Sequence, residues 1–68
     1  MAYLQAQEIL ANPLSTGIEL IDSIKALAME YGYIAAMAGQ GLREDAEIEL
    51  VRILVLMKLL EMKLLEKS

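Results

Sequence analysis

The side chains best suited to chemistry are four acids at the start of the last third of the chain, Glu44, Asp45, Glu47 and Glu49. On a helix, Asp45 and Glu49 lie one turn apart on the same face. Calcium takes about six to eight oxygen ligands, usually from an irregular loop, and the chain offers no such loop. A di-metal carboxylate bundle needs a Glu-x-x-His motif, and the chain has no His. We interpret the cluster as the solvated start of a helix and expect no metal and no other cofactor.

Nucleophiles and phosphate-binding loops are represented only weakly. The serines Ser15, Ser23 and Ser68 have no His or Cys companion, and no pattern in the sequence resembles a nucleophile paired with a base. The glycine-containing turn at 39–43 leads into a helix N-terminus, a geometry that binds phosphate, but the acids that follow it oppose an anion. We therefore predict that the chain is not an enzyme.

The net charge of −4 disfavours nucleic acid and anionic membranes as partners. A helix-turn-helix would place the acids of 44–49 against DNA phosphates, which is the wrong sign for binding. A membrane span needs about 20 mostly apolar residues, whereas Arg52, Lys58 and Glu61 interrupt the last apolar run. We expect no nucleic-acid partner and disfavour a membrane one. The N-terminus does not resemble a secretion signal, so we expect a cytoplasmic location.

A proline ends the first helical segment. Asn12 precedes Pro13, and a residue before proline avoids the helical conformation. This predicts a short N-terminal arm helix within 1–12. Such a helix is too short to be stable alone in water, so we expect it to dock on its own chain or on a neighbouring one.

Two longer helices are predicted after this turn. Thr16 and Glu19 have the spacing of a capping box, in which each side chain satisfies the other residue's backbone N–H. The helix that they begin is predicted over 17–38, because Gly39 is a typical residue to follow a helix end. The third helix is predicted over 42–66, with acids near its start and lysines near its end, as the helix dipole favours.

The third helix carries two adjacent apolar stripes. The first is Ala46, Leu50, Ile53, Met57, Leu60 and Leu64, and the second is Ile48, Val51, Val55, Leu59 and Met62. One neighbour covers one stripe, whereas a helix in a bundle contacts two neighbours and needs a wider apolar face. Helices of similar length joined by a short loop pack antiparallel. We therefore predict an all-α single domain, 1–68: a helical hairpin with an arm helix, assembling into a helical-bundle oligomer.

Size and composition also favour assembly. The chain has 68 residues, is 57% hydrophobic and lacks Cys, and scaffolds of this size usually need a disulfide, a metal or a partner. A glycine within a helix costs about 1 kcal/mol relative to Ala; close approach of another helix would explain Gly32, and relief of crowding between its tyrosine neighbours is the alternative. The predicted oligomer interface is Ala28, Gly32, Ala35, Ile48, Val51, Ile53, Val55, Leu56, Leu59 and Met62. We expect Ile53→Glu or Leu56→Glu to dissociate the assembly.

A few polar groups interrupt the apolar half of the second helix. Glu30, Tyr31 and Tyr33 could line a small-molecule pocket or a protein hot spot, although a tyrosine in this setting is more often a core residue with its hydroxyl at the rim. A pairing of Glu30 with Lys58 across the helix interface is a further hypothesis.

These features favour an interaction module: a small helical hairpin that self-associates as a dimer or higher homo-oligomer. The alternative is an acidic regulatory inhibitor or chaperone-like protein that binds a second protein. A peripheral membrane protein is a weaker alternative. A designed oligomer is disfavoured by the irregular turn at 12–17 and the uneven polar surface.

Overall fold

The computed structural model describes residues 2–41 and 45–67. Over these residues the chain is all-helical, as predicted, with α1 at Ala2–Ala11, α2 at Gly17–Gly39 and α3 at Ala46–Lys67. Residues 42–44, where the third helix is predicted to begin, lie outside the described part of the chain. Asp45 is a bend and not part of α3, so the described start of the helix is Ala46.

The turn between α1 and α2 is closed by hydrogen bonds to the last carbonyls of α1. Asn12 N donates to Glu8 O at 3.1 Å, and Ser15 Oγ donates to Ile9 O at 2.6 Å. Asn12 also accepts a bond from Leu14 N at its Oδ1, 2.9 Å away. A helix end leaves its last carbonyls without partners within the helix, so these bonds define where α1 stops.

The predicted capping box begins α2. Glu19 N donates to Thr16 Oγ1 at 3.1 Å, and Thr16 N donates to Glu19 Oε1 at 2.9 Å. At the other end the helix includes Gly39 and closes with a bond from Gly41 N to Ala38 O at 3.0 Å. Gly41 has a φ of +76°, a conformation that glycine adopts cheaply.

The three helices run up, down and up. A Cβ built at Gly17 would lie 3.6 Å from Leu64 Cδ1, so the start of α2 lies beside the end of α3 and the two form an antiparallel hairpin. Lys63 Nζ donates to Leu10 O and to Asn12 O, both at 2.7 Å. The arm helix therefore packs on its own chain, with its C-terminal end beside the C-terminal end of α3.

The core lies where the helices meet. Its buried apolar residues are Ala6, Leu20, Leu27, Ile34, Ala46, Ile53, Leu56 and Leu60. The first apolar stripe of α3 therefore faces inward, with its remaining members partly buried against this cluster. At 1.5 Å per residue α1 is about 15 Å long, less than half the length of α2 or α3. The other half of the hairpin consequently has two helices and no third.

Candidate interaction surface

The second apolar stripe of α3 is exposed along its whole length. We call Ile48, Val51, Val55, Leu59 and Met62 the outer stripe. Ile48 is 63% exposed, Val55 54% and Met62 50%. Successive residues of a helix are turned by about 100°, which places the outer stripe on the side of α3 opposite Ile53. No helix of the described chain covers this face.

The arm helix borders the outer stripe on one flank. A groove of about 420 Å³ runs along the surface between α1 and α3. Gln7 and Ala11 line it on one side, and Val55 and Leu59 line it on the other. Leu4, near the N-terminal end of α1, is exposed and lines the same cleft as Ile48. The apolar surface thus continues from α3 onto α1.

A second cleft lies at the N-terminal end of α1, beyond which this helix no longer covers the hairpin. It measures about 560 Å³ and is lined by Tyr3 and Leu4 of α1, Glu30 of α2, and Asp45, Ile48, Glu49, Arg52 and Ile53 near the start of α3. The Oε2 atom of Glu30 is buried and accepts no hydrogen bond within the described residues. Across 2–41 and 45–67, no group of three or more acids is placed to hold a metal ion. Glu44, from the predicted acid cluster, lies outside the described residues.

The outward face of α2 carries the predicted small residues. Ala28 and Gly32 are exposed and Ala35 is half-buried. A Cβ built at Gly32 would have no neighbour within 4 Å, so no helix of the same chain approaches it closely. Met29, 78% exposed, lies beside these residues on the same helix.

Two of the predicted interface residues are buried within the protomer. Ile53 is 1% exposed and Leu56 is 5% exposed, so both side chains belong to the protomer's own core. Ile53 is a member of the inward stripe, and Leu56 lies on the α1 side of α3, where it lines the groove beside the arm helix. We therefore leave these two residues out of the candidate interface.

The suggested pairing of Glu30 with Lys58 is replaced by other neighbours. Lys58 Nζ lies 3.9 Å from Glu61 Oε1 on its own helix, and Glu30 lines the cleft beside Arg52. Tyr31 is half-buried against the core, and Tyr33 is exposed. Neither of these two tyrosines lines the cleft that contains Glu30.

Several exposed apolar side chains are absent from the predicted interface. They are Leu4, Leu14, Ile18, Ile21, Met29, Tyr33, Leu54 and Leu65. Leu4 could be predicted only by knowing that α1 docks beside α3. Leu54 and Leu65 belong to neither apolar stripe, and their spacing gave no signal.

No protein-family model, curated protein or solved structure matches the chain. None of the described helices is long and apolar enough to cross a membrane.

Proposed function

We propose that the chain is a small helical self-association module, an assembly, scaffold or adaptor element with no catalytic activity of its own. One observation carries this proposal: the outer stripe of α3 is a continuous apolar face that the protomer leaves exposed. Large exposed apolar patches on small proteins usually mark interaction surfaces. Ile48, Val51, Val55, Leu59 and Met62 project from one rigid helix, so they present a preformed surface.

Self-association is favoured energetically because the protomer leaves much of its apolar surface exposed. Thirteen large apolar side chains are exposed among the described residues. Fully burying one such side chain contributes about 1.5–3 kcal/mol. A folded chain of this size buries only about 60% of the surface of its unfolded form, so the stability that it lacks is available from contact with another chain.

Sedimentation velocity over a wide concentration range tests the proposal. We expect the wild-type mass to exceed that of the 7.5 kDa chain and to rise with concentration. Val55→Glu should shift the mass toward the monomer while the helical circular dichroism remains, because Val55 is exposed in the protomer. A wild-type monomer at every concentration would contradict the proposal.

Two control variants test whether the effect belongs to the outer stripe. Met29→Glu places the same charge on an exposed apolar position of α2, and Asp22→Lys reverses a charge on the exposed surface of the same helix. Both should leave the mass unchanged. If Met29→Glu dissociates the assembly and Val55→Glu does not, the interface is on α2.

A second candidate function is the regulatory binding of another protein. It is favoured by the cleft, where Glu30 holds a buried carboxylate oxygen that receives no hydrogen bond from residues 2–41 and 45–67. A buried acceptor without a partner costs about 1–3 kcal/mol, and an N–H group of a bound protein would remove that cost. Photo-crosslinking in cells from a reactive residue at Leu4 separates the two functions. Adducts of two copies of this chain support self-association, and adducts with one other protein support the regulator.

A further inference from the structure

We propose that the outer stripe binds the outer stripe of a second copy, with the two α3 helices antiparallel and the two Val55 side chains meeting on the two-fold axis. This inference rests on the proposed self-association and specifies its geometry. Three features of α3 lead to it: the order of the stripe residues, their angular positions and the distribution of charge along the helix.

The spacing of the outer stripe reads the same from both ends. Counted from Val55, Val51 and Leu59 are four residues away in opposite directions, and Ile48 and Met62 are seven residues away. When two such helices run antiparallel with Val55 at the centre, Val51 stands level with Leu59 of the second copy. Ile48 likewise stands level with Met62. A two-fold interface requires this kind of self-complementary surface.

The angular positions allow these pairs to interlock. With about 100° between successive residues, Val51 is turned about 40° to one side of Val55 and Leu59 about 40° to the other. The two-fold axis that relates two antiparallel helices is perpendicular to the plane containing both helix axes. Rotation about it therefore leaves each residue on the same side of that plane. Val51 and the second copy's Leu59 therefore occupy opposite sides of the seam at one level, and they fit beside each other without colliding. Ile48 and Met62 are turned about 20° to opposite sides of Val55, and they are related in the same way.

The charge along α3 favours the antiparallel orientation over the parallel one. The segment 45–52, which leads into and begins α3, carries three acids and one base, whereas 58–67 carries three bases and two acids. Antiparallel pairing places each acidic end beside the other copy's basic end and aligns the helix dipoles favourably. Parallel pairing would place the two acidic ends side by side, where like charges repel each other.

Disulfide trapping distinguishes the two orientations, because the described chain contains no free cysteine that would interfere. Ile48, Val55 and Met62, which are all exposed in the protomer, are each replaced singly by Cys in the full chain. A disulfide forms only when the Cα atoms are within about 7 Å. Antiparallel pairing holds the two Ile48 positions about 21 Å apart along the axis, well beyond this limit, because each lies seven residues, and hence about 10.5 Å, from the centre.

We expect Val55→Cys alone to cross-link in a glutathione buffer at least about tenfold faster than Leu14→Cys, an exposed turn position that reports random collision, because assembly raises the effective concentration. Ile48→Cys alone and Met62→Cys alone should remain at the rate of Leu14→Cys. A mixture of Ile48→Cys and Met62→Cys should form the mixed dimer rapidly.

Each other outcome overturns a defined part of the proposal. Rapid cross-linking of Ile48→Cys with itself would establish a parallel pair. No rapid cross-link in any sample, with an oligomeric wild-type mass, would place the interface elsewhere and leave self-association intact. A monomeric wild-type mass would overturn both the geometry and the proposed function.

Discussion

Ser15 is a buried polar side chain whose hydrogen bond joins two elements. It is 1% exposed and donates through Oγ to Ile9 O at 2.6 Å. Without this donor, Ile9 O would lose its side-chain partner at the end of α1. Ser15 thus stabilises both the end of α1 and the path of the chain into α2.

We predict that Ser15→Ala lowers the free energy of unfolding by about 1–3 kcal/mol, the cost of leaving a buried group without its partner. Urea unfolding followed by circular dichroism measures the change. Ser23→Ala is the matched control: Ser23 lies within α2, where Ala is the better helix former, and we expect little change or a small gain. Equal losses for the two variants would contradict the role given to Ser15.

Lys63 connects α3 to the arm helix over a long stretch of sequence. Its Nζ donates to Leu10 O and Asn12 O. A cation at the C-terminal end of a helix also interacts favourably with the helix dipole. Lys63 therefore contributes to holding α1 on its own chain.

Lys63→Met retains most of the aliphatic stem and removes both hydrogen bonds. We expect the amides of α1 to exchange with deuterium several-fold faster and the free energy of unfolding to fall by about 1–2 kcal/mol. Lys67→Met, near the end of the same helix, should change neither value measurably. Unchanged exchange in α1 after Lys63→Met would show that apolar packing alone holds the arm.

At the scale of the element, α2 contains a glycine that its own chain does not require. Gly32 is exposed, and a Cβ added there meets nothing within 4 Å. We expect Gly32→Ala to raise the free energy of unfolding by about 1 kcal/mol, the difference in helix propensity, and to leave the native mass unchanged. A lower mass would instead place the small residues of α2 at the interface, since an added methyl group would then separate two closely packed helices.

The three helices could be predicted from the sequence because their signals are local. Pro13, the capping box of Thr16 and Glu19, and the glycines at the end of the second helix act through neighbouring residues. The inward side of α3 was harder to predict, because both of its stripes are equally aliphatic. Which stripe becomes core depends on how α2 and α1 dock, and that is decided by contacts between distant residues.

The candidate surface was predictable to a similar extent. Ile48, Val51, Val55, Leu59 and Met62 form a stripe that the spacing alone reveals. Leu56 differs, because it is buried within the protomer, on the side of α3 where the arm helix lies. The bonds of Lys63 to the end of α1 join residues more than fifty positions apart, so no local pattern indicates them.

At the scale of the whole molecule, core and outer stripe should respond differently to charge. Ile53→Glu buries a carboxylate without a partner at the centre of the protomer, which is strongly unfavourable. We therefore expect loss of helical circular dichroism for Ile53→Glu and for Leu56→Glu, in contrast to the folded monomer expected for Val55→Glu. A folded monomer from Ile53→Glu would contradict its assignment to the core.

The short reach of α1 has a consequence for how the protein opens. The end of the hairpin that contains Gly32 and Leu50 has two helices, whereas the end that contains Leu20 and Leu60 has three. Local unfolding has a lower free energy where fewer apolar contacts must be broken. The helix turns of the two-helix end, which the short connection keeps tethered to each other, should therefore unfold locally more often than those of the three-helix end beside Lys63.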